Sequence, residues 1–388
     1  MKRKVLAVTG TRAEYGAMRP VYAAVAAATD LELELIVTGM HLAPRFASSL
    51  AEVEGDRYGP LHHVPVADTA ASGAAMARAL GEAVVAMAGV IEQVRPQLVL
   101  LQGDRGEMLA AAIAAAHQNV VIVHMSGGDS TGSIDEPIRH AISSFAHVHL
   151  TTCPESGARL VARGESALRI IEVGEPALDV ILSLEPVPPE ELAADLDLDL
   201  GRPIVLGTQH PVTTEAGDSA HQMTETLAAL AALGMQTVFT YPNTDAGGAE
   251  MVRVLQSYAG RPFLRAVPHL GSRRYLSLMR IAAVMVGNSS SGILEAASFR
   301  LPAVNVGTRQ HRRTRACNVI DVGYDRDAIV KAVRFALSDP TFKASLAGCV
   351  NPYGDGSAAA RTVDVLRRLR LTPALVAKWL PATGQLLD

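Results

Sequence analysis

Short apolar runs recur along the chain, each stopping at Gly, Asp, Asn or Thr and each followed by a longer segment with helical spacing. The first series reads "KVLAVTG", "ELELIVTG", "QLVLLQGD", "NVVIVHMSGG", "HVHLTT" and "RIIEVG". β-Branched runs alternating with helical segments predict β-α-β units and a parallel sheet. Between the runs, "GAAMARALGEAVVAMAGVIEQV" and "GEMLAAAIAAAHQ" read as Ala-rich amphipathic or buried helices. From Glu185 the texture changes to "EPVPPEELAADLDLDLGRP", whose prolines and acids cannot continue a central strand. The alternation then restarts with "PIVLGTQH", "TVFTYPN", "FLRAVP", "AVMVGNSSSG", "PAVNVG" and "NVIDVG". The expected class is therefore α/β: two Rossmann-like parallel-sheet domains facing a cleft, with ligands beyond the carboxyl ends of the strands. The expected boundaries are 1–184 for the first domain, 185–202 for a linker and 203–370 for the second domain. A C-terminal tail, 371–388, can pack back on the first domain.

Composition narrows the partner. A length of 388 residues favours two cores, and 49% hydrophobic residues suffice to fill them. A formal charge of −4 gives no global attraction to nucleic acid or to an anionic membrane, so a small-molecule partner is expected. Cys153, Cys317 and Cys349 are odd in number and far apart, which fits a reducing cytosol better than a disulfide framework. The amino terminus is broken by Thr9, Arg12 and Glu14 before a signal-peptide core forms, and no run is expected to reach the length of a membrane span.

Several strand exits carry candidate chemistry. In "AVTGTRAEYG", backbone N–H groups and Arg12 can face an anion, or the segment is a tight strand-to-helix turn with a surface arginine; the spacing fits neither a dinucleotide fingerprint nor a Walker loop. In "VGNSSSGILEAAS", Ser289, Ser290, Ser291 and Gly292 precede an expected helix whose N–H groups suit a diphosphate, and Glu295 can accept from ribose hydroxyls. "GTRQHRRTRACNV" offers Arg309, Arg312, Arg313 and Arg315, of which at most two are expected to touch ligand. Asp104 in "LLQGDRGE" follows a buried strand. In "HMSGGDSTGSIDEPIRH", Ser126, Asp129, Asp135, Glu136, Arg139 and His140 follow another, with Arg139 expected against substrate. "SIDEP" also resembles a helix start, so one of Asp135 and Glu136 can simply favour the dipole. "GTQHPVTTE" adds His210. Together these describe carboxylates on one wall, with phosphate donors and an imidazole on the other. No spacing suits a metal, and His62–His63 are expected to be exposed.

These motifs, with "TGMHL", "YPNTDAGGAEMVRV" and "GTRQHRR", resemble the UDP-N-acetylglucosamine 2-epimerases over essentially the whole chain, and the hydrolysing branch more than the non-hydrolysing one. The resemblance implies a GT-B fold, a UDP-aminosugar substrate, no cofactor and a homodimer. It implies that a base removes the C2 proton of the sugar while UDP leaves C1, and that water then adds to release N-acetylmannosamine. Asp104, Glu136 and His210 match catalytic positions. His41 matches a histidine of the hydrolysing branch, and Arg12, Ser290, Ser291, Gly292, Glu295, Arg309 and Arg313 match positions that hold UDP. Ser126 departs from the pattern, standing where many relatives carry an acid–base glutamate. A serine hydroxyl cannot hold a proton as a carboxylate does, and Asp129, three residues on, is the expected substitute. Three further readings stay open: a non-hydrolysing epimerase, an epimerase of a related nucleotide aminosugar in secondary metabolism, and a nucleotide-sugar binder with impaired catalysis.

Overall fold

A computed structural model describes residues 2–43, 47–66, 73–130, 135–243, 245–378 and 386. Part of the candidate loop, 131–134, and most of the tail beyond 378 lie outside the described residues, and the Asp135 side chain is likewise not described. The chain divides into two compact units, one of residues 1–182 with 353–388 and one of residues 183–352.

The first unit holds seven strands: β1 (Arg3–Thr9), β2 (Leu31–Thr38), β3 (Leu61–Val64), β4 (Leu98–Gln102), β5 (Val121–Met125), β6 (Val148–Thr151) and β7 (Ile170–Glu172). They form one sheet in the order β3-β2-β1-β4-β5-β6-β7, and every pair is parallel. Side chains alternate across a strand, so β1 serves two helical layers. Val5 and Ala7 join Tyr15, Met18 and Val21 on one face, while Leu6 and Val8 join Met87, Ile91 and Ala111 on the other. The second unit holds β8 (Ile204–Thr208), β9 (Gln236–Thr240), β10 (Leu264–Val267), β11 (Val284–Gly287), β12 (Ala303–Val306) and β13 (Val319–Val322). Their order is β10-β9-β8-β11-β12-β13, again all parallel. In both sheets the strand order reverses beside the first strand, between β1 and β4 and between β8 and β11. At such a switch the flanking loops part and leave a crevice outside the strand ends.

Three expectations need correction. Residues 185–202 are not a free linker: the helix Pro189–Leu196 buries Leu192 and Leu196, packs on the helix Gly271–Ile281, and belongs to the second unit. Val187 donates its N–H to the Ser277 hydroxyl at 2.9 Å, which fixes the entry to that helix. Nor does the second unit run to 370. The helix Ala358–Arg368 lies on the helix Arg12–Ala27, with Val365, Leu366 and Leu369 in the first unit's core. Its amphipathic pattern shows that it packs on something but not on which unit. Finally, residues 74–94 are long and apolar enough, by length and composition, to cross a membrane. The helix Gly73–Val94 instead buries Ala79, Ala83, Met87, Ile91 and Val94 in the first unit and packs on the helix Gly106–His117.

Candidate active site

In the first unit, the exits of β4 and β5 bring together Asp104, Ser126, Asp129 and Arg139. Arg139 projects from the helix Asp135–Phe145 and is only 5% exposed. Its guanidinium pairs with Asp104 and lies 3.7 Å from Asp129, and it also donates to the Ser126 carbonyl at 3.4 Å. Asp129 in turn accepts from the hydroxyls of Thr152 at 2.7 Å and Ser156 at 2.6 Å. Two carboxylates so close to each other repel unless a cation stands between them, and Arg139 is that cation. The backbone is shaped for this turn. Gly128 has φ +79, and a Cβ there would sit 2.1 Å from the Ser156 carbonyl oxygen, so only glycine fits. Ser126 also takes a positive φ, 63°, and its buried hydroxyl has no partner among the described residues. Glu136 lies one helical turn before His140, 3.8 Å from its Nε2, and accepts from the Ser130 hydroxyl at 3.2 Å. Burial lowers the His140 pKa. Arg139 was expected to touch substrate; here one terminal nitrogen pairs with Asp104 and the other faces the Ser126 carbonyl and Asp129.

At the β1 exit, part of the expected anion cradle is already used within the protein. The Gly10 N–H already donates to Glu14 at 3.1 Å, and the Thr11 hydroxyl caps its helix by accepting from the Glu14 N–H at 3.3 Å. Arg12 is left as an exposed arginine 3.9 Å from Glu52. His41, expected as a ligand contact, is 1% exposed, with Nε2 3.0 Å from the Thr9 hydroxyl and Nδ1 2.7 Å from the Ser49 hydroxyl. Both ring nitrogens are thus held by hydroxyls inside the first unit. Burial lowers its pKa.

Glu14 was not singled out from the sequence. It is buried beside Thr9, accepting from that hydroxyl at 2.8 Å and from Tyr22 at 3.0 Å. Burial pushes its carboxyl up to about 7 against the pull of those donors. Glu107 was also passed over, yet its carboxylate lies against Gly10 and Gly39, where added Cβ atoms would approach within 3.3 and 2.6 Å. The glycines at both strand exits were the signal that a side chain crosses there.

In the second unit the switch point joins His210 to Asn288. Asn288 follows β11, accepts from the His210 N–H at 2.7 Å and donates to the His210 carbonyl at 2.8 Å. Gly287 permits this approach, since with φ +130 a Cβ would lie 2.0 Å from the Thr208 carbonyl oxygen. The Asn243 N–H donates to His210 Nδ1 at 3.0 Å, which assigns the ring proton to Nε2. Burial and then the nearby Arg309 lower the His210 pKa to about 4, so the imidazole is neutral near pH 7. Arg309 and Gln310 donate to the Asn288 carbonyl at 3.2 and 2.9 Å. Asn288 thus organises this site, although it passed unremarked inside "GNSSSG".

The three serines are not side-chain N-caps. Only Ser291–Leu294 is α-helical, followed by a 3-10 turn over Ala296–Phe299, and Ser290 makes no capping bond. Ser289 accepts from the Ser291 N–H at 3.3 Å, and Gly292 is buried. Glu295 has a buried Oε2 without a partner among the described residues, and burial raises its pKa despite a bond from Ser291. Tyr275, also unforeseen, stands among Thr208, Ser289 and Ser291, and burial raises its pKa. Of the loop arginines, Arg315 is committed to Asp321 at 2.6 Å, while the Arg313 charge acts on both Arg309 and Glu295.

A model of the UDP-N-acetylglucosamine 2-epimerase family matches residues 23–367. The chain belongs to that family. A Legionella pneumophila UDP-N,N'-diacetylbacillosamine 2-epimerase (hydrolyzing) is 39% identical over 97% of this chain and 99% of the relative. A Campylobacter jejuni GDP/UDP-N,N'-diacetylbacillosamine 2-epimerase (hydrolyzing) is 32% identical over 82% of this chain and 84% of its own length. The fold is that of the solved Neisseria meningitidis UDP-GlcNAc 2-epimerase bound to UDP-GlcNAc, with a TM-score of 0.81 at 19% identity over 94% of this chain and 99% of that one. The family is one of enzymes, its members here include hydrolysing ones, and the architecture is two Rossmann-like parallel-sheet domains of the GT-B class.

Proposed function

We propose that this 2-epimerase hydrolyses a UDP-linked 2-acetamido sugar with inversion at C2. A base removes the C2 proton as UDP leaves C1, giving a 2-acetamidoglucal. Water then adds across the double bond, hydroxyl to C1 and proton to C2, releasing the free epimerised sugar. Asp104, Glu136 and Asp129 are the candidates for proton traffic, with Asp129 supplying the carboxylate that Ser126 cannot. His210 Nε2–H, Arg309, Arg313 and the Ser289–Gly292 segment are the candidate donors for the departing diphosphate, and Glu295 for the ribose. Arg12 remains available to an anion. The observation that carries the reading is the pair of carboxylates bridged by Arg139 at the strand exits of a chain in this family. A cytoplasmic homodimer is part of the proposal, and three free thiols suit a reducing compartment.

UDP-N-acetylglucosamine is the first substrate to test. A UDP-2,4-diacetamido sugar is the second, favoured by the full-length likeness to the Legionella relative. Proton NMR of each in D₂O reads product and label together. Free sugar of inverted configuration with deuterium at C2, together with UDP, is the expected outcome. A UDP-linked product would indicate the non-hydrolysing reaction. Absence of both UDP release and C2 label with every nucleotide aminosugar, while UDP still binds, would leave only a binding role. Asp104→Asn should abolish turnover while leaving UDP affinity within a few-fold.

A further inference from the structure

Two cysteines of the second unit have no part in the proposed reaction. Cys317 is exposed, at the end of the basic loop that carries Arg309 and Arg313 and just before β13. Cys349 is half-buried, just past the helix Pro340–Ala347. Their separation in sequence hides their meeting in space. The Cys317 thiol donates to the Ser345 carbonyl at 3.6 Å. That same carbonyl accepts the Gly348 N–H at 3.2 Å, and the Cys349 N–H bonds to the Leu346 carbonyl at 3.2 Å. The last turn of the helix thereby brings Cys349 back beside Cys317, close enough for its sulfur to raise the Cys317 pKa. Cys153 belongs to the first unit, where it is buried with its sulfur 3.1 Å from the Ser156 hydroxyl.

We propose that Cys317 and Cys349 form a dithiol couple that closes to an intramolecular disulfide when a small-molecule disulfide is the oxidant. One protein thiolate attacks a sulfur of the oxidant and expels a thiolate, leaving a mixed disulfide. The second protein thiolate attacks the protein sulfur of that intermediate and expels the other half. One S–S bond forms in the protein and one breaks in the oxidant, which leaves as two thiols carrying the two protons. The shared helical turn holds the cysteines close together, which makes the second step intramolecular, so the adduct does not persist. Closure ties the basic loop to the helical turn beyond Ser345, adding to the brace that Arg315 makes to Asp321.

Only the thiolate reacts, which sets the pace. Burial, the hydrogen bond and the charge of the neighbouring sulfur push the Cys317 thiol up to about 11, so it is protonated at neutral pH. The couple should close slowly there and faster as the pH rises.

The test treats the full chain with oxidised glutathione at neutral and at mildly alkaline pH, then measures intact mass and maps peptides without reduction. Expected is the loss of two hydrogens, one cross-link joining the peptides of Cys317 and Cys349, a rate that climbs with pH, and reversal by dithiothreitol. Cys317→Ser and Cys349→Ser should each retain one glutathione on the remaining partner, with circular dichroism confirming that both fold. Stable glutathione on both cysteines of the unsubstituted protein, a cross-link to Cys153, or no reaction at alkaline pH would overturn the proposal. The outcome does not depend on which sugar the enzyme takes.

Discussion

Arg139→Met removes the cation between the two candidate carboxylates while keeping an unbranched stem that reaches about as far as Nε. The guanidinium is 6% exposed, whereas Asp104 and Asp129 retain 19% and 20% of their side-chain exposure. Removing one partner of a buried ion pair costs about 3–5 kcal/mol. Because water still reaches both carboxylates, and because Thr152 and Ser156 continue to donate to Asp129, the low end applies, about 3 kcal/mol. For a unit of this size each kcal/mol moves the melting temperature by about 2–4 °C, so the first unit should melt about 6–12 °C lower. Differential scanning calorimetry of the unsubstituted protein, R139M, D104N and the double variant closes a thermodynamic cycle. With no carboxylate left stranded at position 104, the double variant should be less destabilised than the sum of the single ones by about 1–3 kcal/mol. An R139M melt within about 2 °C of the unsubstituted protein, or an additive cycle, would refute the bridging role.

Three more expectations concern buried groups. Glu14 has a folded-state pKa raised to about 7 from an ordinary 4.5, so its contribution to stability is full below 4.5 and is lost as the pH rises through 7. Glu14→Gln removes that slope. Urea titrations at intervals across the window should show the variant gaining on the unsubstituted protein by up to about 3 kcal/mol, and a constant gap would contradict the burial argument. His210 has the opposite sign: with a folded-state value near 4, its contribution is present above 6.5 and fades as the pH falls toward 4. Arg309→Met should move the His210 titration upward in an NMR experiment, and an unmoved titration would show that the arginine charge does not reach the ring. Asp179 accepts from the N–H groups of Ala358 at 2.9 Å and Ala359 at 2.7 Å, capping the helix that returns to the first unit. Asp179→Ala should cost about 1–2 kcal/mol and raise hydrogen exchange across 358–368 while β4 and β5 stay protected; unchanged exchange in that helix would rule out the cap.

Twelve of the thirteen strands were legible as apolar runs, because strands covered on both faces need apolar side chains at nearly every position. β3 was missed: "LHHV" is short, lies at a sheet edge and follows a proline. Its His62 is not the exposed residue expected but is half-buried, 2.6 Å from Glu34 on the neighbouring strand. The candidate chemistry was read from the same places. Strand exits announce which residues stand at the crevices, so Asp104, Asp129, His210 and the serine run could be named from local pattern alone.

What lay beyond local pattern was how these groups use one another. Arg139 reads as a substrate contact next to IDEP, and only the packed helix turns it onto two carboxylates. His41 reads as a ligand contact, and nothing in the local pattern shows that Thr9 and Ser49 hold its two nitrogens. The helix Ala358–Arg368 reads as the end of the second domain, yet it packs on the first. Periodicity and turn chemistry act over a few residues and are written along the chain, so the sequence by itself determined the class and all the described strands but β3. Burial, ion pairing and pKa depend on which distant segments come within a few ångströms, and that was decided only when the sheets and their covering helices packed.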